Sequence, residues 1–331
     1  MTTIYDVARR AGVSPATVSR VFNGARVSAS KQKAVRDAAQ ALGFMPNGNA
    51  RRLRMGRSQI VAMLIPDIEN SFFTAMTRAV TDVARAAGYS VMLGNTDDDP
   101  DLEAALVTAA VADPVAGIIV APSHDRADYS PAARRKVPVV AVDRDAPRSA
   151  VDTVVADNAE IARDVTRRLF DTGCRRVACV SGPPQVMTAD ERCAGYVQAW
   201  QEVTGAPPPT ELVVRGTYSV EGGRAGAQAL LELPEPPDAI VAANNRIAVG
   251  LVRQLRDAGL DTARVPVASV GDLPFVLRLP DGLTTTALPA REIGATAATL
   301  LLERIRGFRG PARHRVLRCD PLSHHTEGEN S

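Results

Sequence analysis

Apolar positions follow one pattern before about residue 58 and a different pattern after it. In the first part they recur at helical spacing, whereas in the second part short apolar runs alternate with longer amphipathic segments. This alternation of strand-like and helical segments is typical of βαβ units and parallel sheets. The predicted strands are 60–65, 91–94, 117–121, 138–142, 176–181, 238–243 and 265–270. The predicted helices are 71–87, 101–112, 158–172, 188–204, 219–233, 244–258 and 289–306.

The second part is long for a single hydrophobic core. A segment of roughly 270 residues is at the upper limit for one core, so we expect two sheets rather than one. Charge and turn residues suggest the break near Asp157-Asn158. The fold class we expect is an all-α head followed by an α/β core of two doubly wound parallel-sheet subdomains.

The first residues predict two short helices joined by a tight turn. Thr3 can cap the first helix and Gly12 supplies the turn. Ser14 can cap the second helix, and Pro15 fits its first position, where a missing N–H costs nothing. A third helix is predicted from Ser30 to Leu42.

The second helix has an outer face of small, hydroxyl and cationic side chains. Ala16, Thr17, Ser19 and Arg20 lie on that face, and such side chains suit phosphate oxygens and base edges. This is a helix-turn-helix pattern, although an ordinary αα-hairpin packed in a globular core would look similar.

Charge separates these two interpretations. Residues 1–58 contain eleven Lys or Arg and two acidic residues, a net charge of +9, while the whole chain carries +2. The remaining residues therefore carry 28 basic and 35 acidic side chains, a net charge of −7. A basic head on an acidic body favours binding to a polyanion such as DNA, with a separate task for the body.

Residues 46–58, PNGNARRLRMGRS, predict a basic linker without acidic residues. A helix this short is marginal in water, but it could fold when its charge meets DNA and Leu53 finds an apolar niche. A flexible basic tether is the alternative.

Several classes of protein have little support in this sequence. The N-terminal residues lack an apolar signal core, and no window approaches the roughly 20 apolar residues of a membrane span. The four cysteines have no CxxC spacing, which suggests reduced thiols in the cytoplasm. Motifs for nucleotide binding, Ser–His catalysis and zinc proteases are absent, so we expect neither an enzyme nor a cofactor or metal.

Ligands of open α/β sheets bind beyond the carboxyl ends of strands. The residues directly after the predicted strands are therefore candidates for a ligand site. They are Asp67 to Phe73, Ser123, Asp143, Gly182 onwards, Asn244 and Asp272.

An ordered set of segments resembles the LacI/GalR family of bacterial transcription regulators. The resemblance begins with TIYDVARRAGVSPATVSRVFNG, ARRLRMGRS and IPDIENSFF, and continues through DPVAGIIVAPS, VPVVAVDR, TADERCAGY, DAIVAANNRIAVG and LTTTALPAREIGATAATLLLERI to about residue 318. It implies a helix-turn-helix domain at 1–45, a hinge helix at about 49–56 within the linker 46–58, and a periplasmic-binding-protein-like core from 59 to 331.

Within this core, the resemblance implies that the chain crosses three times between the subdomains. The first subdomain would comprise about 59–157 and 288–316, the second about 158–287 and 317–322, and the polar tail 323–331 would be disordered.

The same resemblance implies roles for individual residues at the DNA. Ala16 and Arg20 would read base edges, and Arg26 would reach a base or a phosphate. Leu53 would wedge between base steps in the minor groove, with Arg54 beside it. Phosphate contacts would come from Ser14, Thr17, Ser19 and Asn23.

For a small-molecule effector, the resemblance points to the cleft between the subdomains. Phe72 and Phe73 would supply an aromatic face, although two adjacent phenylalanines also fit core packing, and we expect one of them to face the cleft. The other matching positions are Ser123, Asp143, Arg192, Tyr218, Asn244 and Asp272. Such a mixture of aromatic, amide and charged groups suits hydroxyl-rich sugars.

The sequence departs from the family pattern in three places. Asn70-Ser71 replaces Asn-Pro, Asn244-Asn245 replaces Asn-Asp, and Gly271-Asp272 belongs to a loop that is shorter by about two residues. Because of these changes, the identity of the effector cannot be inferred from that of a relative.

The function expected from these features is a cytoplasmic, nucleoid-associated repressor. It would bind double-stranded, pseudo-palindromic operator DNA as a homodimer, away from membranes, and a sugar would release it. A nucleobase-like corepressor is an alternative with the same architecture. The rivals from other classes are a sugar-binding protein without a regulatory role and a sugar or nucleotide enzyme.

Overall fold

The computed structural model describes residues 2–22, 25–44, 58–113, 115–146, 150–273 and 279–319. The chain divides into two compact units, Met1–Ser58 and Gln59–Ser331. The hinge helix expected at 49–56 and the tail 323–331 lie outside the described residues.

Three helices form the first unit: α1 (Ile4–Ala11), α2 (Pro15–Phe22) and α3 (Ala29–Ala41). The Asp6 carboxylate accepts hydrogen bonds from the Thr3 N–H and hydroxyl at 2.9 and 2.7 Å, which caps α1. Gly12 ends α1 with a φ of 63°, in the left-handed region that favours glycine. The helices pack on the fully buried side chains of Val7, Val18 and Val35.

The first sheet of the second unit has six parallel strands. In chain order they are β1 (Ile60–Ile65), β2 (Ser90–Asn95), β3 (Gly117–Val120), β4 (Val139–Val142), β5 (Asp152–Ala156) and β11 (His314–Leu317). Their order across the sheet is β11-β5-β4-β3-β1-β2. The helices α4 (Ser71–Ala86), α5 (Pro100–Ala112), α6 (Ser130–Arg134) and α11 (Ala290–Ile305) belong to this part of the chain.

The second sheet has five parallel strands: β6 (Val177–Ser181), β7 (Val213–Arg215), β8 (Ala239–Ala242), β9 (Val267–Val270) and β10 (Leu283–Thr286). Their order is β10-β9-β8-β6-β7. Helix α7 (Asn158–Asp171) leads from β5 to β6. Helices α8 (Met187–Thr204), α9 (Val220–Leu231) and α10 (Asn245–Asp257) connect the strands from β6 to β9, with a 3₁₀ turn at Thr210–Leu212.

Burial on both faces explains why the inner strands are continuously apolar. In β1, Val61, Met63 and Ile65 face one hydrophobic cluster, while Ala62 and Leu64 face the other. Alternate side chains of a strand point to opposite faces, and both faces of a parallel sheet are covered by helices.

The chain passes from the first sheet to the second after β5 and returns after β10, since α11 packs against β3, β4 and β5. The final strand corrects the sequence-based boundaries. A strand near residue 317 was expected to return to the second subdomain, but β11 pairs with β5, with His314 opposite Thr153 and Leu317 opposite Ala156. Backbone pairing along the open edge of β5 keeps it in the first sheet, and residues 320–322 lie outside the described residues.

The apolar pattern missed four strands, β5, β7, β10 and β11, although the family resemblance implied a strand near residue 317. Three of them, β7, β10 and β11, lie at sheet edges and are only partly buried. An edge strand needs a pairing partner on one side only and can keep polar side chains in water, so its sequence lacks an apolar run. Within the described residues, no helix has the length and apolar character to span a membrane.

Candidate functional site

The turn before α2 holds the expected hydroxyl side chains together. The Ser14 hydroxyl accepts a hydrogen bond from the Thr17 N–H at 3.2 Å and lies 2.9 Å from the Thr17 hydroxyl. Ser14 therefore caps α2 and places two hydroxyl groups at the N-terminus of this helix. Such a helix N-terminus suits a phosphate oxygen.

The outward face of α2 carries the expected base-reading side chains. Ala16 and Arg20 are exposed, Thr17 and Ser19 are partly buried, and Val18 and Val21 fill the core beneath. Arg26 is exposed after the helix. Asn23, Leu53 and Arg54 lie outside the described residues, so their roles remain predictions from the sequence.

In the second unit, polar side chains from both sheets meet beyond the carboxyl ends of the strands. They line a cavity with about 70 Å³ of free space. Ligand pockets usually measure about 300–1,000 Å³, so the free space in this cleft is smaller than that of a typical ligand pocket. The lining residues are Pro66, Asp67, Asn70, Phe72, Phe73, Asp98, Asp143, Arg144, Thr188, Arg192, Tyr218, Asn244, Asn245, Val270, Gly271 and Leu288.

Phe72 and Phe73 both reach this cavity but differ in burial. Phe73 is 5% exposed and belongs to the core, whereas Phe72 is only partly buried. The rings pack edge to face, with centroids 5.0 Å apart. Phe72 is therefore the more exposed of the two aromatic side chains at the cavity.

Asp143 follows β4 and directs a buried carboxylate at the cavity. Its φ of 65° lies in the left-handed region, which Asp tolerates better than most residues. Burial raises the pKa of Asp143 above its ordinary 3.8, although Arg144 and Arg192 oppose this effect. The nearest cation is the Arg144 Nε, 3.6 Å from Oδ2, and within the described residues no hydrogen bond reaches this carboxylate.

Two arginines in the cleft are held mainly by other protein groups. Arg144 donates to Asp98 Oδ1 at 2.6 Å and to the Pro122 carbonyl at 3.1 Å. Arg192 donates to Asn158 Oδ1 at 2.9 Å and to the Ala243 carbonyl at 2.7 Å. Both guanidinium groups are thereby fixed in position before any ligand binds.

Tyr218 contributes a buried phenol to the same cavity. Its hydroxyl makes no well-formed hydrogen bond within the described part of the chain, although Thr188 lies near it. Burial raises the pKa of this phenol. The Arg192 guanidinium carbon lies 6.0 Å from the ring centroid. Asn244 turns its Oδ1 to the Ile247 N–H at 2.8 Å and so caps α10 while lining the cavity.

Two of the expected effector residues do not line this cavity. Ser123 donates its N–H and its hydroxyl to Glu103 Oε2 at 2.6 and 2.7 Å, so it is turned to a buried carboxylate behind the cleft. The exposed Asp272 accepts a hydrogen bond from Thr285 at 3.3 Å and borders a wider neighbouring cavity of about 480 Å³.

Several polar residues of the cleft were not among the predicted effector residues, notably Asp98, Arg144 and Thr188, and Asn245 was identified only as a departure from the family pattern. Two of them had a usable signal, because Arg144 directly follows Asp143 and Asp98 lies in the acidic run after β2. Within the described residues, no group of three or more His, Cys, Asp or Glu side chains could hold a metal ion.

Both units of the chain match known protein families. Residues 3–47 match the family described as "Bacterial regulatory proteins, lacI family". Residues 58–325 match "Periplasmic binding proteins and sugar binding domain of LacI family".

Similar proteins span nearly the whole chain. The ribose operon repressor of Halalkalibacterium halodurans is 33% identical over 92% of this chain and 91% of its own. The HTH-type transcriptional repressor CytR of Escherichia coli K12 is 29% identical over 96% of this chain and 94% of its own.

Solved structures show the same architecture. A complex of the transcriptional regulator CelR with cellobiose has a TM-score of 0.72 at 27% identity, covering 97% of this chain and 98% of its own. A Lac repressor dimer bound to operator has a TM-score of 0.82 at 24% identity, covering 96% of each chain, which shows the shared fold. The chain therefore belongs to the LacI family of bacterial regulatory proteins and is a ligand-responsive, DNA-binding transcriptional repressor.

Proposed function

We propose that the effector is a neutral sugar or sugar derivative, which binds between the two sheets and releases the repressor from its operator. The observation that carries this proposal is a set of polar atoms in the cleft that make no hydrogen bond to the described part of the protein. The Asp143 carboxylate accepts no hydrogen bond within the described residues, and Arg144 Nε and the Tyr218 hydroxyl are buried without one.

Buried polar groups are nearly always hydrogen-bonded, so these atoms call for a ligand that both donates and accepts. A sugar hydroxyl does both. One hydroxyl can donate to Asp143 while a neighbouring one accepts from Arg144 Nε. Phe72 then covers the apolar ring face, as aromatic side chains do in other ligand pockets.

The charge balance of the cleft favours a neutral ligand over a phosphorylated one. Three carboxylates, those of Asp67, Asp98 and Asp143, line the cavity with two guanidinium groups, those of Arg144 and Arg192, and Asp67 is also paired with Arg246. Hydrogen bonds to Asp98, Asn158 and backbone carbonyls already use part of both cleft arginines. A phosphate would therefore bring negative charge into a cleft that has no net positive charge to balance it.

We further propose that the protein works as a homodimer in the cytoplasm, at the nucleoid, without catalytic turnover. The edge strand β2 exposes Met92 and Leu93, which are 46% and 38% exposed, and Leu102 on α5 is 36% exposed. An exposed apolar edge strand invites pairing with a second copy, which would give the two-fold symmetry of a pseudo-palindromic operator.

A thermal-shift screen of matched ligand pairs tests the effector class. Free ribose, glucose and cellobiose are compared with ribose 5-phosphate and glucose 6-phosphate, and with adenine and adenosine. A ligand at about a hundred times its dissociation constant adds about 2.7 kcal/mol of stability. We expect a neutral sugar to raise the melting temperature and lower operator affinity, with both effects lost in Asp143→Asn.

Other outcomes of this screen would replace the proposal. A response confined to phosphorylated sugars would contradict the charge argument. A nucleobase that tightens operator binding would indicate a corepressor instead.

A further inference from the structure

The three departures from the family pattern meet at one point in the structure. Asn245, at the start of α10, is 6% exposed and directs its side-chain amide at the start of α4. Its Nδ2 lies 3.1 Å from Asn70 Oδ1, 3.3 Å from Ser71 Oγ and 3.2 Å from the Asp272 carbonyl oxygen. Asn70 and Ser71 follow a strand of the first sheet, whereas Asn245 and Asp272 follow strands of the second.

This geometry requires an amide rather than a carboxylate at residue 245. The Asn70 and Asp272 oxygens can only accept, and Asn70 Oδ1 also accepts from the Phe72 N–H at 3.1 Å as the cap of α4. An amide donates two hydrogens, whereas an ionised carboxylate donates none and would place negative charge against both oxygens. The Asn245 amide therefore makes hydrogen bonds between the subdomains that an ionised carboxylate at this position could not make.

The next residue adds an ion pair across the same cleft. Arg246 Nη1 lies 2.5 Å from Asp67 Oδ2 and 3.5 Å from Glu69 Oε2. The side chains of Arg246 and Asp67 are 29% and 30% exposed, so water screens this pair only partly.

We propose that Asn245 and Arg246, with Asn70, Ser71, Asp67 and Asp272, form a clasp that holds the cleft closed by protein contacts alone. Both residues are positioning residues, since they join the carboxyl ends of the two sheets around the effector cavity. The clasp sets the ligand-independent balance between open and closed states. An effector that enters only the open state binds with an apparent affinity reduced by the fraction of time the cleft is open.

Hydroxyl-radical footprinting of the full-length protein without added ligand tests the clasp. The readout is the oxidation rate of Phe72 and Tyr218, whose rings line the cleft. Asn245→Asp is close to isosteric and restores the family's residue. Arg246→Met keeps the side-chain stem and removes the charge. Loss of either set of hydrogen bonds should raise the open-to-closed ratio about tenfold, with higher oxidation rates at both rings.

Arg253→Met is the matched control, because Arg253 lies exposed on the same helix and makes no ion pair within the described residues. It should leave both oxidation rates at the parent value. Asp67→Asn should act in the same direction as Arg246→Met but more weakly, because it leaves the contact of Arg246 with Glu69. The double variant should open no further than Arg246→Met alone, since that variant already removes both contacts. The partly exposed pair of Arg246 and Asp67 provides an independent test of the clasp if Asn245→Asp folds poorly.

The clasp would be overturned if the oxidation rates of Phe72 and Tyr218 stayed at the parent value in Asn245→Asp, Arg246→Met and Asp67→Asn. An equal rise of these rates in Arg253→Met would also overturn it, because such a rise would reflect a general loss of stability. No effector is used, so this result is independent of the proposed sugar, whose own failure would appear only in the ligand screen.

Discussion

Arg304 and Asp152 form a two-pronged ion pair between residues far apart in the chain. Arg304 Nε and Nη2 donate to the two Asp152 carboxylate oxygens at 2.9 and 2.6 Å, and Arg313 Nη2 reaches Oδ2 at 2.9 Å. The Asp152 side chain is fully buried, and the Phe308 ring lies against both guanidinium groups, 4.9 and 4.4 Å from their carbons. This cluster fastens α11 and β11 to the start of β5.

Removal of the Asp152 charge should destabilise the core in a pH-dependent way. Burial opposes ionisation, but the hydrogen bonds from Arg304 and Arg313 outweigh it and lower the pKa of Asp152 below its ordinary 3.8. A carboxylate with a lowered pKa stabilises the fold above pH 3.8, and this contribution is lost as the pH falls further. Asp152→Asn should cost about 3 kcal/mol at pH 7, because it leaves the partly buried Arg304 without a carboxylate partner and removes one of the two carboxylates that hold Arg313.

Urea unfolding at pH 7 and pH 3 measures this difference, which should shrink at pH 3. Asp257→Asn is the control, since its pair with Arg224 is exposed and should contribute only about 0–1 kcal/mol. Equal losses in the two variants at pH 7 would refute the structural role given to Asp152.

Arg20 should determine which operator sequences the protein prefers. Arg20→Ala should reduce discrimination at one base pair by about 1–3 kcal/mol, because arginine recognises guanine through two parallel hydrogen bonds. Binding sites are selected from a random duplex pool and compared by fluorescence anisotropy. Arg9→Ala removes an exposed charge from α1 and should weaken all sites alike. Unchanged sequence preference in Arg20→Ala would mean that another side chain reads the bases.

Tyr218→Phe should weaken effector binding without lowering the stability of the protein. The buried Tyr218 hydroxyl lacks a well-formed partner within the described residues, and an unsatisfied buried hydroxyl costs about 1–3 kcal/mol. The variant should be at least as stable as the parent, yet should bind the effector about tenfold more weakly if one hydrogen bond to the ligand is lost.

Tyr196→Phe supplies the comparison, since the Tyr196 hydroxyl donates to the Val177 carbonyl at 2.9 Å. It should lose about 1 kcal/mol of stability with little change in effector affinity. Calorimetry and thermal unfolding measure both quantities. A clear loss of stability in Tyr218→Phe would show that its hydroxyl has a partner in the protein.

Leu93→Arg should convert the proposed dimer into monomers. A charge in the middle of an apolar contact must be desolvated without a partner, which the free energy of association cannot offset. Sedimentation velocity should show half the parent mass, and operator affinity should fall. Val203→Arg, at a residue 48% exposed on α8, makes the same kind of change outside this surface and should leave the mass unchanged. A monomeric parent would remove the basis for the β2 interface.

The sequence could predict whatever depends on near neighbours in the chain. The caps at Thr3 and Ser14, the left-handed Gly12 and the apolar runs of the inner strands are local signals, and the structure contains the corresponding helices and strands. It could not show that β11 joins the first sheet, because an exposed edge strand is held by backbone pairing with β5 rather than by its own side chains.

In the cleft, too, some features could be predicted from the sequence and others depend on the tertiary structure. The sequence alone determined that polar residues follow the strands and that residues 70–71, 244–245 and 271–272 depart from the family pattern. Only the tertiary structure decided that Ser123 turns to Glu103 while Asn245 reaches Asn70, because hydrogen bonds form between atoms that packing brings within about 3 Å of each other. Those pairs are 20 and 175 residues apart in the chain, and no local pattern of residue types records such a distance.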